Sequence, residues 1–339
     1  MKKFLKNVMR PTLWPMTSAL AIVFVFFLSI VPFMAKFPIF YQELMFFFPA
    51  YSINFETDKN QKSIFLIGGS RYREVTLNAQ TITTLLKDKM QTNEVNFNNL
   101  SVPSLIYSEE MALINQSHYE KGSIALIGVD IGHLGGSIAK NEARFGEFRL
   151  GFVKYNEVIP DLNKLGMNLK QPYFALSYDR YWLKALSEKL SLHTLLTQNW
   201  HEPDFKYTRP ADFGHANEAK MAQQLIGYPK KLARINFLQG RKLLIATVRL
   251  AQSKGYKVYL FETPLPTKSR KFNKPYSGEY EENIRYVMDK TGVEIIHANN
   301  DVLSDEDFYD LLHLNEFGRG KYKTVFVGQL ASAIKASWQ

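Results

Sequence analysis

Residues 11–35 contain no charged side chain, and residues 19–31 are apolar but for one serine. Such a stretch cannot sit at a water-exposed surface as a helix. About 20 apolar residues are enough to cross the hydrocarbon core of a bilayer. Pro15 and Pro32 lie near its ends, where a helix tolerates them, and Trp14 is where interfacial aromatics gather. A cleaved signal peptide would need a shorter apolar region and an A-x-A-like site, but residues 31–36 hold only one small residue, Ala35. The segment therefore reads as an uncleaved transmembrane anchor. Lys2, Lys3, Lys6 and Arg10 precede it, and only Lys36 follows closely. By the positive-inside rule residues 1–10 stay in the cytoplasm and the rest lies outside the membrane. The expected organisation is a single-pass protein with an aromatic-rich interfacial collar at 36–61 and a folded domain at 62–339. The lipid bilayer is its first expected partner.

Charge and composition narrow the chemistry. The net charge is +10, and five of the 42 basic residues flank the anchor with no acid among residues 1–36, so half the surplus is local. A basic surface invites an anionic partner. Nucleic acid is not expected, because no binding motif accompanies the charge and the compartment is wrong for it. The absence of cysteine removes disulfides, thiolate metal sites and cysteine nucleophiles. His201, His215 and His297 have no H-E-x-x-H spacing, so no metal is expected. Residues 68–73 lack the G-x-G-x-x-G of a dinucleotide site, and no cofactor is expected.

The domain reads as alternating strands and helices. Short apolar runs at 63–69, 95–102, 123–129, 257–261 and 293–296 read as strands. Amphipathic patterns at about 73–89, 105–117, 231–253, 279–290 and 316–336 read as helices. This alternation predicts an α/β fold with a parallel sheet sandwiched by helices in three layers, with ligands at the carboxyl ends of the strands. Residues 134–230 interrupt it. They are rich in aromatics, carry one clear helix near 180–197, and read as an insertion, either a cap over the sheet edge or a helical subdomain.

Two short elements carry chemistry. Gly68, Gly69, Ser70 and Arg71 follow the first strand and open a helix. A serine at such a turn exposes its hydroxyl, and the helix start supplies unpaired N–H groups to an oxyanion. Asp310 and His313 lie three apart just before the last helix, so the Asp can hold one ring nitrogen and leave the other free as a base. Asn315 or Glu316 would cap that helix. His133, after the third strand, reads as structural.

Taken together, Ser70 after the first strand and Asp310-x-x-His313 with Leu314, Asn315 and Gly318 before the last helix resemble the SGNH (GDSL-like) hydrolase superfamily. The resemblance covers about residues 62–132 and 255–338. It implies a Ser-His-Asp triad in which Ser70 attacks an acyl carbonyl, His313 moves the proton and Asp310 orients His313. It also implies oxyanion donors near Gly69, with Ser101 in the second block at the family's Gly position. In the third block Asp130 stands where the family has a donating Asn. An ionised carboxylate cannot donate, and Asn98 or Asn99 are the candidates to replace it. Lys268, Arg270, Lys271 and Lys274 read as a basic loop after the fourth strand, placed either to meet an anionic substrate or simply solvated near a membrane.

With its anchor, the chain looks like the D-alanyl-lipoteichoic acid transfer protein family and other SGNH partners of membrane-bound O-acyltransferases. This implies a bacterial inner or cytoplasmic membrane, a periplasmic or extracytoplasmic domain, and acyl-ester hydrolysis or transfer on a cell-envelope glycan or anionic polymer. The alternative is an inactive SGNH-like docking or polymer-binding subunit of such a system.

Overall fold

The computed structural model describes residues 62–76, 79–102, 104–117, 122–145, 155–170, 217–233 and 235–338. The expected anchor, the collar and the helix at 180–197 lie outside the described residues. Among the described residues no helix is long and apolar enough to cross a membrane.

In chain order the elements are β1 (Lys62–Ile67), α1 (Ser70–Val75), α2 (Ala79–Met90), β2 (Val95–Asn99), α3 (Tyr107–Gln116), β3 (Ile124–Gly128), α4 (Ile131–Leu134) and α5 (Ile138–Phe145). They continue with α6 (Ile159–Lys164), α7 (Glu218–Leu232), α8 (Phe237–Ser253), β4 (Lys257–Phe261), α9 (Thr267–Thr291), β5 (Glu294–Ile296) and α10 (Glu316–Trp338). The strands form one all-parallel sheet in the order β2-β1-β3-β4-β5.

Strand side chains alternate between two cores, as the period of two requires. Phe65, Ile67, Ala125, Ile127, Val258 and Leu260 face a core built with α3, α8 and α9. Ile64, Leu66, Ile124, Leu126, Tyr259 and Phe261 face a second core completed by Ile82 and Leu86 of α2 and by Tyr322, Phe326 and Leu330 of α10. Both faces are therefore covered, and the central strands β1, β3 and β4 are nearly continuous apolar runs. The expected three-layer α/β architecture is present in the described residues.

Three element boundaries differ from the sequence reading. The helix expected at 73–89 is two helices, because α1 ends at Val75. There the Asn99 side-chain amide takes the carbonyls of Arg73 and Thr76, which would otherwise continue the helix. The helix expected from 231 is divided between α7 and α8, with the Asn236 side chain accepting the Gln239 N–H at the start of α8. Finally, α9 begins at Thr267 and carries Pro275 within it, so the basic stretch is helical and not a loop. Its first turns are held from inside. The Ser269 hydroxyl donates to the Leu311 carbonyl, and Asn273 accepts the Tyr228 hydroxyl at 3.0 Å.

The chain leaves β1 for β2 on one side and returns to β3 on the other. The crevice at this reversal, beyond the carboxyl ends of β1 and β3, is where such sheets bind ligands. Gly68 and Gly128 close those two strands. A Cβ on either would lie 2.5 Å or 2.7 Å from ring carbons of Tyr72, so both glycines make room for that ring across the strand ends.

Candidate active site

Ser70 is the first residue of α1, directly beyond β1. The first N–H groups of a helix have no intrahelical acceptor, so the helix itself leaves the Ser70 amide unpaired. His313 and Asp310 arrive from the far end of the chain, on the segment between β5 and α10. That segment is pinned at its exit by Asn315, whose side chain accepts the Gly318 N–H and donates to the Glu306 carbonyl. Asn315 is thus the cap of α10.

Ser70 Oγ lies 2.9 Å from His313 Nε2. His313 Nδ1 lies 2.8 Å and 2.9 Å from the two oxygens of Asp310. With Nδ1–H donating to Asp310, Nε2 accepts the serine hydroxyl, which is the arrangement of nucleophile, base and orienting acid. Asp310 is fully buried, and its Oδ1 also accepts the backbone N–H groups of Leu312 and His313. Burial alone would raise its pKa. The hydrogen bond and charge of His313, joined by Lys220 and the Leu312 amide, outweigh that and hold it well below the ordinary carboxylate range.

Three further residues enter the site that the sequence reading did not name. Glu74 is buried one turn after Ser70, with a carboxylate oxygen 4.0 Å from His313 Nε2. Its i, i+4 spacing from Ser70 was a signal available in the sequence. Lys220 Nζ lies 2.7 Å from Asp310 Oδ2, and Gln224 Nε2 donates to the same oxygen at 3.2 Å. Nothing in the sequence ties these two residues of α7 to a segment more than 80 positions away.

Asp130 turns away from a donating role. Its Oδ1 caps α4 by accepting the His133 N–H at 2.9 Å. Its Oδ2 lies 3.2 Å from an Arg71 guanidinium nitrogen and accepts the Tyr72 hydroxyl at 3.3 Å. All three neighbours donate, which is what an ionised carboxylate receives. Arg71 is itself nearly buried, and its second terminal nitrogen donates to the Thr263 carbonyl. Burial would lower the Arg71 pKa, but Asp130 and the surrounding tyrosines raise it on balance.

The other sequence candidates are placed as follows. Ser101 donates its N–H to Asn99 Oδ1 and its hydroxyl to the Leu66 carbonyl. Asn99 spends its amide on the end of α1 and on the Thr76 hydroxyl. In this structure neither presents its donors to Ser70. Asn98 lies on β2 with its amide nitrogen buried. Gly69 precedes α1 with open space around it. Lys268, Arg270, Lys271 and Lys274 are exposed on the first turns of α9. That helix start touches the triad segment through the Ser269–Leu311 hydrogen bond.

His133 stacks on the Tyr107 ring at 4.0 Å and lies 3.5 Å from Glu110. His297 is exposed and lies 2.9 Å from Glu262, while His201 and His215 are outside the described residues. Among the described residues no group of three or more histidine and acidic side chains could hold a metal ion.

No protein-family model matches the chain, and no curated protein matches it.

Proposed function

We propose that this chain is a membrane-anchored SGNH-like acyl esterase or O-acyltransferase acting on a cell-envelope glycan or anionic polymer. The observation that carries the reading is the hydrogen-bonded relay from Ser70 through His313 to the buried Asp310. It lies where the strand order reverses, at the carboxyl end of the sheet. In the proposed reaction His313 Nε2 takes the Ser70 proton as Oγ attacks the acyl carbonyl. His313 then returns that proton to the leaving alcohol, and an acyl-enzyme remains on Ser70. Water or an acceptor hydroxyl, deprotonated by the same nitrogen, removes the acyl group. Asp310 fixes the ring and balances the transient imidazolium. The Ser70 N–H faces the developing oxyanion.

The uncharged stretch at 11–35 supports a single-pass anchor, with the domain outside the cytoplasm. The exposed cations of α9, Lys268, Arg270 and Lys271, suit a phosphate- or carboxylate-bearing substrate. A membrane-bound O-acyltransferase is the proposed partner.

A second reading is favoured by Asp130. Paired with Arg71, it offers no amide to an oxyanion, as expected of an inactive docking or polymer-binding subunit. One experiment separates the two. The full chain in detergent is treated with a fluorophosphonate probe beside Ser70→Ala. The catalytic reading expects labelling that the substitution abolishes. A folded chain that stays unlabelled selects the docking subunit.

A further inference from the structure

The insertion that interrupts the strand–helix alternation sends α7 directly onto the triad segment. Asn217, just before α7, donates its N–H to the Tyr309 carbonyl and its side-chain amide to the Tyr309 hydroxyl. Gln224 grips the next two residues, donating to Asp310 Oδ2 and accepting the Leu311 N–H at 2.9 Å. Lys220, one turn before Gln224 on the same face, places Nζ 2.7 Å from Asp310 Oδ2 and 4.7 Å above the Tyr309 ring. The buried Asp310 carboxylate is thus shared, with the imidazole against both oxygens and the ammonium against Oδ2.

We propose that Lys220 is a positioning residue for the base: by sharing the Asp310 carboxylate it lowers the proton affinity of His313 and keeps Nε2 ready to accept a proton at lower pH. The role of the base rests on the Ser70–His313–Asp310 reading above. Its effect on His313 follows from the charges themselves. Asp310 favours the imidazolium, and so does Glu74 of α1 at 4.0 Å from Nε2. Lys220 of α7 is the cation set against them. Asp310 has no solvent exposure, so this competition is weakly screened. Its ion pair is with Asp310, and its side chain is 38% exposed, so a neutral side chain of similar length fits there.

The test has two readouts on the full chain in detergent. The first is the His313 titration, followed by NMR of histidine-labelled protein and assigned with His313→Gln. The second is the pH dependence of Ser70 labelling by a fluorophosphonate. Lys220→Met is expected to raise the His313 midpoint by about one pH unit, a roughly tenfold change in proton affinity, and Lys220→Arg to restore it. If His313 is the base, the labelling midpoint moves with it. A Lys220→Met chain that titrates where the wild type does overturns the proposal. So does a Lys220→Arg chain shifted as far as the Met variant. A wild-type chain that never labels, yet shows the NMR shift, removes the esterase reading and leaves the role of Lys220 standing.

Discussion

Glu110 is a carboxyl group with no solvent exposure, and burial pushes its pKa well up, with Glu109 and Asp130 adding to the rise. His133 faces it at 3.5 Å and Tyr107 lies beside it. The folded chain therefore holds the Glu110 proton to a higher pH than the unfolded chain, whose carboxyl titrates near 4.5. The folded state binds the extra proton, so stability falls as pH rises above that value. Glu110→Gln removes the loss. Its unfolding free energy should match the wild type near pH 4 and exceed it by about 1–2 kcal/mol at pH 8. Denaturant unfolding at several pH values checks this, and a difference that does not grow with pH would refute it.

At the scale of elements, the crossing of Tyr72 over two strand ends makes a sharp expectation. A methyl on Gly128 would meet three ring carbons of Tyr72 within 2.8 Å, and that ring is almost wholly buried. Gly128→Ala should lower stability by about 1–3 kcal/mol through overpacking. Gly69→Ala, with open space and an extended backbone, should stay within about 0.5 kcal/mol. Equal losses at the two positions would refute this account. The central strands β1, β3 and β4 were legible because their burial on both faces leaves nearly unbroken apolar runs, and Ser70, Asp310 and His313 because each sits in a short local signal. The start of α9 was not legible. The basic run read as a loop, whereas Ser269 and Asn273 are fixed by partners distant in sequence. The same limit hid Lys220 and Gln224. Asn98, Asn99 and Ser101 were singled out by type and position, but local helix-end geometry decides what Asn99 and Ser101 bond.

Over the whole molecule, Asp310 links α7, the loop before α10 and the start of α1 through His313. Its carboxylate pKa is held down in the fold, and the unfolded chain titrates near 3.8. The stability this contributes is present in full above that value and is lost as pH falls below it. Asp310→Asn should cost about 1–3 kcal/mol at pH 7, where it removes the charged acceptor of His313 and the counter-charge of the partly exposed Lys220. The gap should narrow as pH falls from 4 to 3. Urea unfolding at pH 7, 4 and 3 tests this, and a gap of constant width would exclude it.

Ser70 and His313 stand 243 positions apart, joined by one hydrogen bond. During synthesis the nucleophile emerges well before its base. α10 must still form behind His313 and cover the second core before the loop that carries the base is held. A ribosome-bound or prematurely terminated chain therefore carries an inert serine. The acyl chemistry proposed for this protein would begin only once α10 has formed and the two segments that carry the serine and its base have met.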